Sequence, residues 1–428
     1  MSLLALDFLE PQIIAIIVFV ATYFFLATGW RSGAIAAMAG AAAMWFLGVL
    51  SPDEMIRYVD FNALGLLFGM MVMAGVLREA NFFRVIGVKL ANLVSCKPSQ
   101  LFILFLFITA VLSALLDNVT TVLFMVSITI DISELLEIDP KPFILGEIFA
   151  SNIGGTATLI GDPPNIMIAS ATGLTFSDFL EKAAPISTVT VIMIVVFLYL
   201  LNRKQVRVKT AVKEIPAKTE DMVTDWRLFR VGTIMLVVTI ALFLTHEMFH
   251  LSPSTVSLMS AIILLFFGGP KMPRILERVE WRTLIFFTCL FIIVGGLEKT
   301  GTMTSIATEF SKYVAGDSWV AMSAILWLSS IMSGLIDNVP FVAAFIPLVK
   351  EYGTISGFDV SRLWWAIAIG AGFGGNMTMI GASSNVVAIS MADGRGLRIS
   401  FYEFMKTGLQ VAILSTVVAN LLLAFSLG

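Results

Sequence analysis

Long apolar runs separated by short polar turns dominate the chain. A membrane-spanning helix needs about 20 mostly apolar residues, and the pattern predicts ten such spans. Two further apolar runs, 99–130 and 319–350, are each interrupted in the middle by Asp-Asn. Backbone that leaves the helix at membrane depth must be buried in protein or line a wet cavity, so we expect two re-entrant hairpins, each with a short helix on either side of its tip. The predicted spans lie near residues 11–28, 32–50, 60–77, 142–171, 183–201, 228–246, 253–269, 282–297, 362–391 and 407–427.

The composition supports an all-α polytopic membrane protein. Only 13% of the 428 residues are charged, 58% are hydrophobic, and the mean hydropathy is +0.93, which excludes a soluble protein. A net charge of -3 provides no basic field for nucleic acid. No basic residues precede the first apolar run, so we expect that run to be a span rather than a removed signal peptide.

The distribution of basic residues predicts the orientation. The only long polar stretch, 202–227, is rich in Lys and Arg, including Lys209 and Lys218, and reads as a linker. Placing it in the cytoplasm puts 21 of the 27 basic residues on that side, as the positive-inside rule expects. We therefore expect a multi-pass protein of the inner (plasma) membrane with both termini outside. Segments 81–95 and 302–315 carry spaced charges and suit helices that lie in the interface.

An internal repeat divides the chain into two halves. SALLDNV at 113–119 recurs as SGLIDNV at 333–339, and GGTATLIGDPPN at 154–165 recurs as GGNMTMIGASSN at 374–385, both at an offset of 220. Five spans per half is an odd number, so the two halves are expected to be inserted in opposite orientations, as in many secondary transporters. The predicted organisation is a first repeat (1–201), a linker (202–227) and a second repeat (228–428).

The repeat also predicts where a solute would bind. Each half contributes a hairpin tip and a glycine-rich helix break, and inverted symmetry brings all four toward the midplane. Short amide and hydroxyl side chains are concentrated at these points. The candidate substrate-binding residues are Asn118, Thr120, Asn152, Thr156, Thr158, Asn165, Asn338, Asn376, Thr378 and Asn385.

Four acidic residues within the predicted spans and hairpins are candidates for ion or proton coupling. They are Asp117, Asp337, Asp162 and Glu147. A carboxylate at this depth is costly, which suggests a function. Asp117 and Asp337 can alternatively be caps that close the hairpin tips, and Asp162 can cap the helix that begins at Pro163. Asp162 and Glu147 have no acidic counterpart at the offset of 220 and are therefore the stronger candidates.

The sequence supports neither a metal site nor a nucleotide-binding site. His246 and His250 lie four residues apart in a predicted external loop, but nothing beside them completes a metal site, so a solvated loop is the simpler interpretation. No GxxxxGK[ST] nucleotide-binding loop occurs in the sequence. Transport would therefore use an ion gradient or a partner ATPase.

The sequences LLDNVTTVLF and EIFASNIGGTATLIGDPPNIMIAS resemble the arsenite permease and P protein branch of the ion transporter superfamily. Sodium/proton antiporters and the dicarboxylate and citrate carriers are relatives of this branch. The resemblance covers nearly the whole chain and implies an elevator-type carrier, in which hairpins and broken helices move against a scaffold. In the dicarboxylate carriers the tips read Ser-Asn-Thr. Here both tips begin Asp-Asn, and the added carboxylates would repel a dianion.

These observations favour a secondary active transporter that exports arsenite or antimonite in exchange for protons. Arsenous acid is a neutral polyhydroxyl that needs short hydrogen-bonding side chains and no fixed counter-charge. A sodium/proton antiporter and a sodium-coupled carboxylate carrier remain alternatives, as does a passive channel. An intramembrane aspartyl protease is disfavoured because Leu159 replaces the first glycine of a GxGD signature. We expect no enzyme activity and no cofactor. The expected partners are the bilayer, arsenite and protons, with an arsenical pump ATPase as an optional further partner. We expect a monomer or a homodimer.

Overall fold

The apolar runs of the sequence fold into helices throughout. The computed structural model describes residues 10–28, 32–208, 210–216, 222–313, 318–357 and 359–426, and within these ranges it contains twenty α-helices and no strand. The first half contains α1 (Pro11–Thr28), α2 (Gly33–Phe46), α3 (Pro52–Tyr58), α4 (Phe61–Glu79), α5 (Phe82–Leu93), α6 (Pro98–Leu115), α7 (Asn118–Leu136), α8 (Lys141–Gly155), α9 (Pro163–Thr172) and α10 (Phe176–Val206).

The second half has the same series of helices. It contains α11 (Trp226–Thr245), α12 (Pro253–Phe267), α13 (Met272–Glu277), α14 (Trp281–Lys299), α15 (Thr302–Tyr313), α16 (Ser318–Leu335), α17 (Asn338–Ser356), α18 (Ser361–Gly374), α19 (Ser383–Gly394) and α20 (Phe401–Ser426). Helices α4 to α7 and their counterparts α14 to α17 begin and end 220 residues apart. The repeat seen in the sequence is therefore also a repeat of local structure.

Seven helices among the described residues are long and apolar enough to cross a membrane, and four shorter apolar helices accompany them. Two predicted spans form helices that are shorter than expected, α2 with 14 residues and α12 with 15. The two helices of the first hairpin, in contrast, are longer than expected. Helices α6 and α7 have 18 and 19 residues, about 27 Å at 1.5 Å per residue, so the prediction of short arms is wrong. Whether these helices re-enter or cross stays a prediction.

The predicted broken spans are broken as the glycines and prolines suggested. Helix α8 ends at Gly155 and α9 begins at Pro163, while α18 ends at Gly374 and α19 begins at Ser383. The missing side chain of Gly154 lets α8 lie directly on the backbone of Ala110 in α6. Small residues let membrane helices approach this closely. The breaks are thereby held against the hairpin tips.

The linker is shorter than predicted and is attached to the first half. Helix α10 extends to Val206, inside the predicted linker, and α11 begins at Trp226. The Asn92 side chain in α5 donates to the Ile215 carbonyl at 3.1 Å and accepts from the Ile215 N–H at 2.8 Å. The two bonds resemble the pair that a neighbouring strand would make, and they hold the backbone of Ile215 against α5. Lys209 and Lys218 lie outside the described residues.

Two ion pairs join the halves at the ends of α4 and α14. Glu79, the last residue of α4, pairs with Arg278 after α13 at 2.6 Å. Lys299, the last residue of α14, pairs with Glu54 in α3 at 2.6 Å. Glu79 and Lys299 occupy counterpart positions at the offset of 220 and carry opposite charges. Each pair links one half of the chain to the other, which is consistent with the two halves forming one packed unit.

Candidate functional site

The two hairpin tips are closed by their own aspartates. Asp117 is the N-cap of α7, and its Oδ1 accepts from the Thr120 N–H at 2.8 Å. Asp337 is the N-cap of α17, accepting from the Val339 N–H at 3.0 Å and from the Ser383 hydroxyl at 2.6 Å. This is the capping alternative that the sequence allowed. The second carboxylate oxygen of Asp117 is buried and has no partner in the part of the chain that the structure describes, so the capping bond does not satisfy the whole side chain.

Asp162 lies where the two tips meet. Asn118 of the first tip donates from Nδ2 to Asp162 Oδ1 at 3.2 Å. Asn338 of the second tip donates to Oδ1 at 3.3 Å and to Oδ2 at 3.0 Å. Asp162 is 1% exposed and has no ion-pair partner among the described residues. Asn118 and Asn338 occupy equivalent positions in the two halves, and both donate to the single carboxylate of Asp162, which has no acidic equivalent in the second half.

Asp162 does not act as a helix cap. It occupies the N-cap position of α9, but its side chain makes no capping bond. The next two residues, Pro163 and Pro164, have no N–H to donate. The next available N–H, that of Asn165, bonds to the backbone carbonyl of Asp162 at 3.0 Å. The carboxylate is therefore free to face the two tip asparagines.

A buried amide network lies behind Asp162. Asn152 donates to Asn376 and Asn385 at 2.9 Å each and accepts from the Ser384 hydroxyl at 2.8 Å. At the counterpart position the second half has Gly372, where a β-carbon would collide with Thr156. A single asparagine therefore fills the space between the two halves. Because its hydrogen-bonding groups are used within the protein, Asn152 is placed to join the two breaks.

Two asparagines hold the breaks in shape. Asn165 Nδ2 lies among the carbonyl oxygens of Gly155, Thr156 and Thr158, at 3.4, 3.2 and 2.8 Å. Its counterpart Asn385 donates to Gly375 and Thr378 at 2.8 and 2.9 Å. In both halves the amide nitrogen occupies the point where the freed carbonyls of the broken helix converge.

The predicted threonines also form intramolecular bonds. Thr156 donates to the Asn152 carbonyl at 2.8 Å, and Thr378 donates to the Gly334 carbonyl at 2.6 Å. Thr158 makes the counterpart bond to the Ala114 carbonyl. Thr120 lines a small cavity of about 30 Å³ beside Arg78. Thr158 and Thr378 thus fasten each break to the hairpin of its own half, whereas Thr156 bonds back to α8.

Glu147 is buried elsewhere in the same bundle. It lies in α8, is 0% exposed, and accepts from the Thr129 hydroxyl of α7 through Oε1 at 2.5 Å. Its Oε2 makes no hydrogen bond to any residue that the structure describes. Glu147 does not line the cavity described next, so the structure separates it from the tips.

A cavity of about 860 Å³ opens beside Asp162. It extends to Arg278 and Arg282 at the end of α13 and the start of α14, which are exposed. By the predicted orientation, this is the cytoplasmic side. Of the fourteen candidate residues, only Asn118, Asp162, Asp337 and Asn338 line this central cavity.

Some of the residues around this cavity could not be predicted from the sequence. Tyr23 of α1 donates its hydroxyl to the Pro340 carbonyl at 2.5 Å, which ties α1 to the second tip. No motif connects residues so far apart in the chain. Arg278 and Arg282 belong to no motif of the sequence, and only the fold brings them to the mouth of this cavity.

Comparison with known proteins places this site in a family context. The model of the citrate transporter family (CitMHS) matches residues 23–370. The chain is 37% identical over 419 residues to the uncharacterized transporter Rv2684 of Mycobacterium tuberculosis, covering 96% of this chain and 98% of the relative. It is 30% identical to the human P protein over 90% of this chain and 56% of that protein. The resemblance to the P protein branch is confirmed.

Solved structures with the same fold are transporters. The Alcanivorax borkumensis YdaH transporter superimposes with a TM-score of 0.63 at 10% identity, covering 98% of both chains. MtrF of Neisseria gonorrhoeae, from a class of antimetabolite efflux pumps, gives a TM-score of 0.59 at 12% identity over 99% of this chain and 96% of that chain. At these identities the likeness shows the fold alone. With the family model covering most of the sequence, the chain belongs to the citrate transporter family of the ion transporter superfamily and is an integral membrane transporter, not an enzyme.

Proposed function

We propose that this transporter exports a small neutral polyhydroxyl solute, arsenite or antimonite, in exchange for protons, and that Asp162 is the group for which both compete. The observation that carries the proposal is the carboxylate of Asp162, held only by the amides of Asn118 and Asn338 at the end of the central cavity. A hydrogen bond from an amide to a charged group contributes about 1.5–3 kcal/mol. That is far less than a buried charge loses when it leaves water.

Competition at one carboxylate gives exchange. A solute hydroxyl can donate to Asp162, or a proton can neutralise it, and each satisfies the same oxygens. The amide oxygens of Asn118 and Asn338 remain to accept hydrogen bonds from the solute, because their nitrogens face Asp162. A site that is empty and charged would be the costly one to move across the membrane. The carrier therefore moves with the solute or with the proton.

The freed carbonyls of the breaks argue against sodium. A sodium site would use these carbonyls together with an ionised aspartate. Here the Asn165 and Asn385 amide groups already donate to them. Because these carbonyl oxygens already accept hydrogen bonds from side-chain amides, they are less available to coordinate sodium.

The carboxylates argue against an organic dianion or trianion. Asp162 and Asp337 line the cavity beside the tips, and the cavity's basic side chains lie at its mouth. Like charges at close range in a poorly screened site repel strongly. A neutral solute avoids this cost.

The remaining roles follow from this assignment. Asp117 and Asp337 would hold the tips closed and tune the site, while Glu147 would be the rival proton carrier. The repeat would be inverted and would move as an elevator in the inner membrane, as a monomer or homodimer, with the linker in the cytoplasm. An arsenical pump ATPase would be an optional partner. The other ten polar candidates would divide between two solute contacts, Asn118 and Asn338, and eight residues that shape the breaks and tips.

Everted vesicles with an imposed pH gradient provide the test. Arsenite uptake, sodium-induced proton release and citrate uptake are measured in parallel, with vesicles lacking the protein as the control. We expect gradient-driven arsenite uptake alone. Sodium-dependent proton release without arsenite uptake would favour the antiporter alternative, and citrate uptake would favour the carboxylate carrier.

A further inference from the structure

A second polar pocket, which we call the His246 pocket, lies between α4, α9 and the start of α12. Its volume is about 180 Å³. The break of the first half contributes to both cavities: Asp162 and Pro163 line the central cavity, whereas Leu159 and Ile166 line the His246 pocket. The pocket therefore lies across the break from Asp162. The predicted orientation places it on the external side.

His246 is buried in this pocket and was expected in a solvated loop. Its side chain is 5% exposed, and Nδ1 lies 2.8 Å from the carbonyl oxygen of Leu251. A carbonyl can only accept, so Nδ1 carries the hydrogen, and in the neutral ring Nε2 is an acceptor. Nε2 is buried and has no hydrogen-bond partner among the described residues. A buried nitrogen that can accept a proton but makes no bond calls for an explanation.

The pocket offers no group to compensate a charge on His246. Its other polar lining residues carry hydroxyl or amide groups and do not titrate near neutral pH; they are Asn62, Ser170, Thr175, Ser252 and Ser254.

The acidic residues on the surrounding elements are engaged elsewhere or lie on the same turn as His246. Asp60 accepts from the N–H groups of Asn62 and Ala63 at the start of α4. Asp178 accepts from Thr175 at the start of α10. Glu247 is exposed on the same turn as His246, as is His250. Protonation of His246 in this conformation would thus leave a buried cation with no negatively charged partner among the residues that line the pocket.

We propose that His246 is a proton-accepting gate residue of the external side, whose protonation opens the pocket and favours the outward-facing conformation. An uncompensated buried charge is strongly destabilising, so the protonated carrier gains free energy by exposing the ring to water. The proposal rests on the proposed exchange cycle in one respect: it couples external protons to the conformation that would receive them. It requires no particular solute.

The chain supplies a matched control, because it has two histidines and the other, His250, is exposed. His246→Gln keeps hydrogen-bonding capacity but cannot take up a proton, and His250→Gln changes the same chemistry outside the pocket. Ala169, which lines the pocket and is 6% exposed, becomes the reporter as Ala169→Cys. Ser170→Cys, which lines the same pocket but is already exposed, corrects for the pH dependence of thiol labelling. All variants carry Cys96→Ala and Cys289→Ala.

A membrane-impermeant maleimide is applied to whichever face labels Ser170→Cys, and the pH on that face is lowered from 7.5 to 5.5. Labelling of Ala169→Cys, relative to Ser170→Cys, should rise at least about fivefold, the change that about 1 kcal/mol produces in an equilibrium. The rise should vanish with His246→Gln and persist with His250→Gln. No rise, or an equal rise with His246→Gln, would overturn the proposal.

A second measurement needs no substitution at position 246. With isotope-labelled histidine the chain gives two ring signals, and the one lost in His250→Gln identifies His250. The remaining signal belongs to His246 and should change from the neutral to the protonated ring over the same pH step that raises labelling of Ala169→Cys, and a signal that stays neutral throughout would refute the gate. Neither experiment uses a solute, so their failure leaves arsenite exchange standing, and failure of arsenite exchange leaves the gate standing.

Discussion

The close contact of α6 with α8 gives a quantitative prediction for Gly154→Ala. A β-carbon on Gly154 would lie 2.5 Å from Ala110 Cα and 2.7 Å from its carbonyl carbon. Because carbon atoms pack at about 3.5–4.0 Å, the two helices would have to separate by about 1 Å. The obstructing atoms belong to backbone, so no side-chain rotation relieves the collision. Overpacking of this kind costs about 1–3 kcal/mol, and we expect the upper part of that range.

The repeat provides a second copy of this experiment and a control. At Gly374 the added β-carbon would lie 2.5 Å from Ser330 Cα, so Gly374→Ala should destabilise to a similar degree. Gly394→Ala adds the same methyl group at the end of α19 where nothing lies within 4 Å. Thermal unfolding of the purified protein in detergent measures all three. If Gly154→Ala melts at the same temperature as Gly394→Ala, the helices are not packed as described.

Three further predictions concern the site, the surface and the topology. Asn118→Ala or Asn338→Ala should abolish transport while leaving folded protein in the membrane, because each removes a donor to Asp162; normal transport by both variants would exclude the proposed site. The Glu54 carboxylate accepts a hydrogen bond from Lys299, which lowers the pKa of Glu54 to about 2. The stabilisation from this pair is therefore present above the unfolded pKa of about 4.3 and is lost as the pH falls toward 2. Between pH 5 and 2 the melting temperature should fall less steeply for Glu54→Gln than for the unmodified chain, and equal slopes would contradict this. Cysteines at Ser252 and Gln205 should label from the outside and the cytoplasm, respectively, and labelling of both from one face would refute the inverted repeat.

The sequence predicted the helices and their breaks well because both are local properties. Apolar runs must form helices in a bilayer. The paired glycines and Pro163 interrupt a helix regardless of what packs around it. Lengths were less predictable. Helices α6 and α7 continue through polar residues near their ends, and α10 continues to Val206, because helix ends depend on caps and packing rather than on hydropathy.

The composition of the site was predictable from the repeat, but its geometry was not. Counterpart motifs brought the tips and breaks together as candidates. The sequence could not distinguish Asn118, which lines the cavity, from Asn152, which joins the two halves, since both are asparagines in the repeated region. The difference depends on which neighbours lie 30 to 230 residues away in the chain. The burial of His246 depends on the same kind of distant packing.

The pH dependence of solute exchange by Asp162→Asn tests competition at Asp162 most directly. Asparagine keeps the size and one acceptor oxygen but holds no exchangeable proton. Solute counterflow and gradient-driven uptake are measured in the same vesicles, with Glu147→Gln as the matched control. We expect Asp162→Asn to lose gradient-driven uptake and to keep a counterflow that no longer slows as the pH is lowered, while Glu147→Gln behaves like the unmodified chain. Full gradient-driven uptake by Asp162→Asn, with its loss in Glu147→Gln, would contradict the account and assign the proton to Glu147.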